Sequence, residues 1–208
     1  MAFGVPPERR RQFSAVAATA DAIVGPQMKK LDFLLAAMRD FRHAGTLWAS
    51  SHAAAREIAK LIGPRRRFVV EYGAGDGAVT AELLNVMPAD GRLLALEINA
   101  EFCDALSGMG DPRLIVRQRD IAEFVAARTR ELPQVEAAVS GIPLSFLTAD
   151  VRRAIVERTY DMLVPGGVFV VYQVSPVFFP AVKRAFPKAK LRLSPRNLPP
   201  YFICVAEK

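Results

Sequence analysis

The sequence is poor in the side chains that bind metal ions or form disulfides. Among 208 residues there are two cysteines, Cys103 and Cys204, and two histidines, His43 and His52. Two cysteines are too few for a disulfide framework or a structural zinc site, and no cluster has the spacing of metal ligands. The composition therefore argues against a metalloenzyme and against a disulfide-stapled domain.

Long apolar runs are also missing. No stretch approaches the ~18 residues that a membrane-spanning helix needs. The alanine-rich stretch 13–24 follows three arginines, but Asp21 interrupts it and no convincing cleavage site is present, so we predict no signal peptide. We expect the protein in the cytoplasm or peripheral on the inner face of the membrane. Its 51% of apolar residues is enough for a full globular core.

The positive charge of the chain is concentrated at its two ends. Residues 1–67 carry 12 Lys and Arg against 5 Asp and Glu, residues 183–208 carry 7 against 1, and the residues between carry 9 against 15. Local basic patches favour an anionic partner, either a membrane surface or nucleic acid. A solvated basic face without a partner is the alternative.

Residues 1–67 have the apolar periodicity of helices. Amphipathic segments with basic flanks cover 9–24 and 28–43, and a third helix is predicted after Ser50-Ser51 with its end at Gly63-Pro64. We predict an N-terminal helical cap over 1–67. It either packs on the rest of the protein or lies on a membrane surface, where basic side chains meet anionic lipid.

From Phe68 onward, short apolar strands alternate with helices, which predicts a parallel sheet covered on both faces. The last two predicted strands follow each other through a short turn and predict a closing antiparallel pair. The expected fold of 68–208 is thus an α/β, Rossmann-like doubly wound sheet of seven strands. The predicted strands are Phe68–Tyr72, Leu93–Ile98, Leu114–Arg117, Val135–Ser140, Val168–Gln173, Leu191–Leu193 and Tyr201–Ala206; the predicted helices are 77–87, 99–108, 121–131, 148–163 and 177–186.

A glycine-rich turn with Gly73, Gly75 and Gly77 follows the first strand and opens a helix. Glycine lets the backbone approach a ligand closely and accepts positive φ. The spacing also satisfies the dinucleotide-binding pattern G-x-G-x-x-G/A, so the motif alone indicates a nucleotide-like ligand without choosing one.

Three acidic residues lie at the ends of successive predicted strands. Glu71 is placed to take the ammonium of an amino-acid moiety, Glu97 to accept two ribose hydroxyls, and Asp120 to meet an adenine amino group. Each has a structural alternative: a buried paired acid, a surface acid and a helix N-cap, respectively. The carboxyl ends of parallel strands share one edge of a sheet, where ligands of open α/β sheets bind.

This combination resembles the class I S-adenosylmethionine-dependent methyltransferases over residues 68–208. The acid before the glycines and the terminal hairpin argue against a nicotinamide enzyme. The resemblance implies S-adenosylmethionine as cofactor. The residues it implies for cofactor binding are Glu71, Gly73, Gly75, Gly77, Glu97, Ile98, Asp120, Ile121 and Ser140.

Three segments narrow the resemblance. Residues 140–144, Ser-Gly-Ile-Pro-Leu, and 196–200, Arg-Asn-Leu-Pro-Pro, are similar to segments of the bacterial phospholipid N-methyltransferases, which convert phosphatidylethanolamine towards phosphatidylcholine. The segment 45–51 is similar to a loop of that family that closes over the cofactor. Ala74 and Asp76 depart from the Pro and Thr more usual in its glycine loop. Ornithine-lipid methylation is a close alternative.

This narrower resemblance implies that Gly141, Pro143 and Arg196 bind the acceptor, with Arg196 on a lipid phosphate. For the transfer itself we consider Tyr172, Ser140 and Tyr201, which would hold or orient the amine, although Tyr172 could instead be a packing residue. The alternatives are an RNA adenine N6-methyltransferase, since basic ends also suit phosphates, and an accessory module without activity. No metal is expected.

Overall fold

A seven-stranded sheet organises the part of the chain that the computed structural model describes, residues 47–126, 134–195 and 200–208. The strands are β1 Phe68–Tyr72, β2 Arg92–Glu97, β3 Leu114–Gln118, β4 Val135–Ser140, β5 Leu163–Gln173, β6 Lys190–Ser194 and β7 Tyr201–Glu207. The helices are α1 Leu47–Ile62, α2 Ala78–Val86, α3 Ala100–Ser107, α4 Ile121–Ala126, α5 Ala149–Met162 and α6 Phe179–Ala185, with 3-10 turns at Leu144–Phe146 and Pro176–Phe178.

The strand order is β3-β2-β1-β4-β5-β7-β6, and every neighbouring pair from β3 to β5 is parallel. Strand β7 runs antiparallel to both β5 and β6. The doubly wound α/β sheet with a closing antiparallel pair, predicted from the alternation of strands and helices, is confirmed. Because β1 and β4 are neighbours while the chain leaves β1 towards β2, the crevice between their ends is the topological switch point.

Helices cover both faces of the sheet, which explains why β1 is buried along its whole length. On one face, Val70 and Tyr72 join Phe169 in a core that extends to α5 and α6. On the other face, Val69 packs with Ile58 of α1 and Leu83 of α2. Successive residues of a strand point to opposite faces, so this division also determines which side chains can meet at the sheet edge.

Several element boundaries differ from the predictions. Helix α1 already includes Ser50 and Ser51, which were expected to cap it, because the preceding leucine and alanine also favour helix; its end at Gly63 is confirmed. Strand β5 begins at Leu163 rather than Val168, since the Pro-Gly-Gly run that suggests a break is accommodated by a register shift against β4. The segments 9–24 and 28–43 lie outside the described residues, and the boundary between a cap and the sheet domain at residue 67 stays a prediction.

None of the helices within the described ranges combines the length and apolar character needed to span a bilayer.

A buried hydroxyl pair ties β1 to α5. The Tyr72 and Thr159 hydroxyl oxygens lie 3.1 Å apart, and Thr159 Oγ1 donates to the carbonyl of Ile155 at 2.7 Å. Since the single proton of Thr159 is used in that bond, Tyr72 donates to Thr159. Both residues are fully buried, so neither hydroxyl can turn to water instead.

This arrangement predicts unequal effects of two nearly isosteric substitutions. Thr159→Val leaves the Tyr72 hydroxyl buried without its acceptor and should lower the free energy of unfolding by about 1–3 kcal/mol. Tyr72→Phe removes the buried donor and keeps the bond from Thr159 to Ile155, so it should cost only about 0.5–1.5 kcal/mol. Urea unfolding of the three proteins measures both values, and a larger loss for Tyr72→Phe would contradict the assigned direction of donation.

Candidate active site

The loop after β1 is held in a conformation that glycine favours. Gly73, Gly75 and Gly77 have φ values of 71°, 55° and 83°, a region that other residues rarely enter. The Gly73 N–H donates to the carbonyl of Leu96 at 2.8 Å, which ties the start of the loop to β2. The glycine-rich turn predicted from the sequence therefore lies at the carboxyl edge of the sheet, directly before α2.

Two glycines, one directly after β1 and one directly after β4, allow a close approach of the chain at the switch point. A Cβ atom on Gly73 would lie 2.6 Å from Ile142 Cγ2, and one on Gly141 would collide with the hydroxyl oxygen of Tyr172. The Gly141 N–H also donates to the carbonyl of Tyr72 at 3.0 Å. The ends of β1 and β4 thus approach so closely that no side chain fits between them, and Tyr172 packs against this junction.

Glu71, the second-to-last residue of β1, carries a fully buried carboxyl group. The Thr80 hydroxyl donates to its Oε2 at 2.7 Å, whereas Oε1 has no hydrogen-bond partner among the described residues. Burial raises the pKa of Glu71 to about 8; the Thr80 bond opposes this rise, and the negative charges of Glu97 and Asp76 add to it. Glu71 is therefore mostly neutral at pH 7 and has an oxygen available for a cation.

Glu97 organises the glycine loop. Its Oε2 accepts from the Gly75 N–H at 2.8 Å, and its Oε1 accepts from the N–H groups of Ile98 and Asn99 at 2.8 and 2.9 Å. The side chain is 7% exposed, which excludes the surface-acid alternative. The expected contact with ribose hydroxyls stays a prediction, and these three bonds leave the carboxylate limited capacity for further donors.

Asp120 caps α4, as its structural alternative predicted. Its Oδ1 accepts from the N–H groups of Ala122 and Glu123 at 2.6 and 3.2 Å. Ile121 begins that helix and, like Ile98 after β2, is half-buried. Capping uses only Oδ1 of Asp120. The contact of Asp120 with an adenine amino group stays a prediction.

The predicted catalytic residues lie on three different strands. Tyr172 is the second-to-last residue of β5 and Tyr201 begins β7; their ring centroids are 5.9 Å apart, and both pack on the face covered by α1 and α2. Ser140 ends β4 in register with Tyr72 and Val171, which belong to the core of the opposite face. The structure therefore brings the two tyrosines together and directs Ser140 to the other face. Pro143 is buried beyond β4, and Arg196 lies outside the described residues.

Sequence reasoning missed two polar residues of this site. Thr80, the hydrogen-bond partner of Glu71, is a fully buried hydroxyl in α2. Gln173 is a buried amide at the end of β5, and its Oε1 accepts from the Ser145 N–H at 3.1 Å. A lone polar residue in an apolar helix face, or at the end of an apolar strand, is the signal that would have indicated them. Within the described ranges, no three His, Cys, Asp or Glu side chains come together in a way that would hold a metal ion.

Comparison with known proteins identifies the family. No established family profile matches the chain. It is 30% identical over 184 residues to a predicted O-methyltransferase of Mycolicibacterium vanbaalenii, covering 83% of this chain and 74% of that protein. The chain is a class I S-adenosylmethionine-dependent methyltransferase. This methyltransferase is also 28% identical over 177 residues to an ornithine lipid N-methyltransferase of Singulisphaera acidiphila, covering 81% and 92% of the two chains.

The fold comparison agrees with this assignment. The structure of 1,6-didemethyltoxoflavin-N1-methyltransferase from Burkholderia thailandensis, which contains S-adenosylhomocysteine, superposes with a TM-score of 0.61 at 18% identity. The match covers 100% of the methyltransferase and 92% of that chain. The two proteins thus share a fold, and S-adenosylmethionine is the methyl donor of this methyltransferase, as the resemblance implied.

The site residues of the methyltransferase fit this donor. The free Oε1 of Glu71 suits its ammonium group, and the glycines leave room for backbone contact with its body. Glu97 ends β2, the neighbour of β1, and Asp120 follows β3, the next strand beyond β2, where the ribose and adenine of the donor are expected. These assignments of individual residues are proposals, and variants of Gly73 and Glu71 test two of them.

Gly73→Ala should weaken binding of S-adenosylhomocysteine by at least about tenfold, because the added Cβ combines positive φ with a contact of 2.6 Å to Ile142. Gly110 provides a matched control: its φ is 69°, yet a Cβ there meets no atom within 4 Å. Gly110→Ala should lower the free energy of unfolding by about 1–2 kcal/mol and leave the affinity for S-adenosylhomocysteine unchanged. Titration calorimetry and thermal melting separate the two effects, and equal losses of affinity would contradict the role of the close approach.

The raised pKa of Glu71 predicts pH-dependent binding of S-adenosylhomocysteine. Its ammonium group favours the Glu71 carboxylate, so affinity should rise from pH 6 to pH 8 and then level off. At pH 7 binding should release most of one proton, because Glu71 is mostly protonated beforehand. Calorimetry in buffers of different ionisation enthalpy measures this release.

Glu71→Gln is the control for this titration. It should bind S-adenosylhomocysteine more weakly and without proton release. The folded pKa lies above the ordinary value of 4.5, so the stability contributed by neutral Glu71 is complete below that pH and is lost as the pH rises through about 8. The Gln variant escapes this loss and should gain up to ~1.4 kcal/mol per pH unit within that window. Unchanged proton release in the variant would exclude Glu71 as the titrating group.

Proposed function

We propose that this methyltransferase methylates the amine of a membrane-lipid headgroup. The observation that carries the proposal is an apolar rim at the carboxyl edge of the sheet, defined by Phe146, Val174, Val177 and Leu193. Phe146 and Val177 are each 55% exposed, in the turns that follow β4 and β5. Four of the five large hydrophobic side chains exposed among the described residues lie in this rim.

The position of the rim supports a lipid acceptor. The turns that carry Phe146 and Val177 contact each other, and the Ser145 hydroxyl joins them by donating to the Ser175 carbonyl at 3.1 Å. Leu193 is in register with Phe202, which pairs with Gln173 of β5. The rim therefore lies on the same edge as the end of β4 and Tyr172. Exposed apolar side chains beside a polar site suit a molecule with an acyl body and a polar head.

One relative and two sequence segments support a lipid acceptor, each with a different headgroup. The Singulisphaera acidiphila relative is named as an ornithine lipid N-methyltransferase, and residues 140–144 and 196–200 resemble the phospholipid N-methyltransferases. Phosphatidylethanolamine, methylated towards phosphatidylcholine, and ornithine lipid are therefore the two candidate substrates. Both present a primary amine on a short alkyl chain.

The transfer needs an unprotonated, oriented amine. When bound, S-adenosylmethionine supplies an electrophilic methyl group on its sulfonium. The ring faces of Tyr172 and Tyr201 attract the ammonium form of the headgroup. Partial burial opposes this and favours the neutral amine, which is the form that the transfer needs. Tyr172 packs on Gly141 at the switch point, so an amine held there lies close to the glycine loop. Most of the acceleration would come from this proximity and orientation.

The charge distribution supports work at an anionic membrane surface. Residues 1–67 and 183–208 carry the basic excess of the chain, which anionic lipid attracts. Since the predicted amphipathic helices 9–24 and 28–43 lie outside the described residues, their part in membrane contact remains a prediction from the sequence. The same charges would serve RNA phosphates, so RNA is the competing acceptor that the experiment must include.

The test incubates the purified protein with methyl-labelled S-adenosylmethionine, vesicles that contain phosphatidylethanolamine and ornithine lipid, and total RNA. Label should enter the organic phase, because the apolar rim delivers lipid to the site. Chromatography of that phase then identifies the headgroup. Label on RNA would overturn the proposal. Label on neither lipid nor RNA, while S-adenosylhomocysteine still binds, would also overturn it.

The rim is tested by the double variant Phe146→Ser/Val177→Ser. It should reduce lipid methylation about tenfold or more, because it removes two exposed apolar side chains from the lipid contact, and it should leave affinity for S-adenosylhomocysteine unchanged. Met109→Ser is the control, since Met109 is 39% exposed but follows α3 rather than β4 or β5. If the double variant methylates lipid as well as the control does, the rim has no part in lipid recognition.

A further inference from the structure

Two buried polar groups at the carboxyl edge have no hydrogen-bond partner among the described residues. They are the Ser140 hydroxyl and the Nε2 amide group of Gln173. Ser140 is 0% exposed and Gln173 is 6% exposed, so water does not reach them freely. Burying polar groups without partners is unfavourable, and few remain unpaired without a ligand or an ordered water.

The orientation of the Gln173 amide is determined by its surroundings. Its Oε1 accepts from the backbone N–H of Ser145, at 3.1 Å. A backbone N–H can donate only to the oxygen of an amide, so the amide cannot be turned around without losing this bond. Both N–H bonds of Nε2 are therefore donors aimed away from Ser145, and the group requires an acceptor.

The two groups share one face of the sheet. Ser140 of β4 is in register with Val171 of β5, and Gln173 follows Val171 by two residues on the same strand. Because alternate residues of a strand face the same side, Ser140 and Gln173 both point to the face covered by α5 and α6. Val174 of the apolar rim follows Gln173 directly. The unpaired donors thus lie between the switch point and the rim.

We propose that Gln173 and Ser140 form a subsite for an oxyanion of the methyl acceptor. The Gln173 Nε2 group donates to a phosphate or carboxylate oxygen, and the Ser140 hydroxyl donates to the same group. This inference rests on the proposed function for the identity of the acceptor. A phosphodiester oxygen of phosphatidylethanolamine and the free carboxylate of ornithine lipid offer the same chemistry, each joined to the amine by a short alkyl chain.

The subsite explains how the enzyme distinguishes lipid amines. A plain alkylamine has no oxygen to satisfy the two donors, so it leaves them buried and unpaired. A headgroup with an oxyanion satisfies them and is positioned with its amine towards the crevice between β1 and β4. Selection of the methyl acceptor therefore depends on neutral hydrogen-bond donors, which can bind a planar carboxylate or a tetrahedral phosphate equally well.

The first test compares Gln173→Glu with the unaltered enzyme. The substitution keeps the shape and the oxygen that accepts from Ser145, and it replaces the donor with a negative charge. It should lower kcat/KM about 10- to 100-fold for vesicles of phosphatidylethanolamine or ornithine lipid, mainly through KM. Methylation of vesicle-borne stearylamine, which has no oxygen, and affinity for S-adenosylhomocysteine should not fall. Gln134→Glu is the matched control, because Gln134 is exposed just before β4, at the opposite edge.

A second measurement does not depend on turnover. In the ¹⁵N spectrum of the full chain with S-adenosylhomocysteine, the side-chain amide signal of Gln173 is assigned by its loss in Gln173→Glu. Glycerophosphoethanolamine and Nα-acetylornithine should shift this signal, whereas butylamine should not. A signal that none of them moves at the highest soluble concentration would show that the donors bind solvent only, and would overturn the subsite.

These readouts separate the subsite from the proposed function. If the enzyme labels neither lipid but the Gln173 signal shifts with glycerophosphoethanolamine, lipid methylation is wrong and the subsite stands. If lipid is labelled and Gln173→Glu methylates it as well as Gln134→Glu does, the subsite is wrong and the function stands. An equal loss on stearylamine would mean that Gln173 only supports the turn at Ser145.

Discussion

The close approach of the chain after β1 to the chain after β4 is the constraint on which the site depends. Gly73 and Gly141 meet there without side chains, and the Gly141 N–H is bonded to the Tyr72 carbonyl at 3.0 Å. Any Cβ on either glycine would displace Ile142 or Tyr172. Because the strands on both sides are buried in packed cores, the junction cannot widen without moving the sheet. The glycine loop and the proposed acceptor site are thereby held side by side.

The carboxyl groups at this edge have different tasks because their environments differ. Glu97 accepts hydrogen bonds from three backbone N–H groups and so stabilises the glycine loop. Glu71 has one hydroxyl partner in a fully buried position, which raises its pKa and leaves an oxygen for a cation. One carboxylate builds the site and the other is left to respond to the ligand. The buried donors of Ser140 and Gln173 are the counterpart of Glu71 in the proposed acceptor subsite: they offer hydrogen bonds to an anion, whereas Glu71 offers an oxygen to a cation.

Much of the fold could be predicted because its signals are local. Apolar strands alternating with helices indicated the parallel sheet, and the glycine run after Glu71 indicated the ligand loop. Boundaries were less predictable: the Pro-Gly-Gly run in β5 looks like a break, and only the pairing of Leu163 and Val168 with β4 on either side of it keeps the run within one strand. Asp120 shows a limit of the same kind, since an acid at that place suits both a helix cap and a ligand contact.

The sequence by itself determined the order of elements, the glycine loop and the acids at successive strand ends, because these depend on residues close together in the chain. Tertiary structure alone decided that Tyr172 packs on Gly141 beside Tyr201, while Ser140 turns to the opposite face with Gln173. It also decided that Thr80 is bonded to Glu71. Those relations come from strand register and from helices packing across the sheet. Register joins residues that are far apart in the chain, and no local pattern records it.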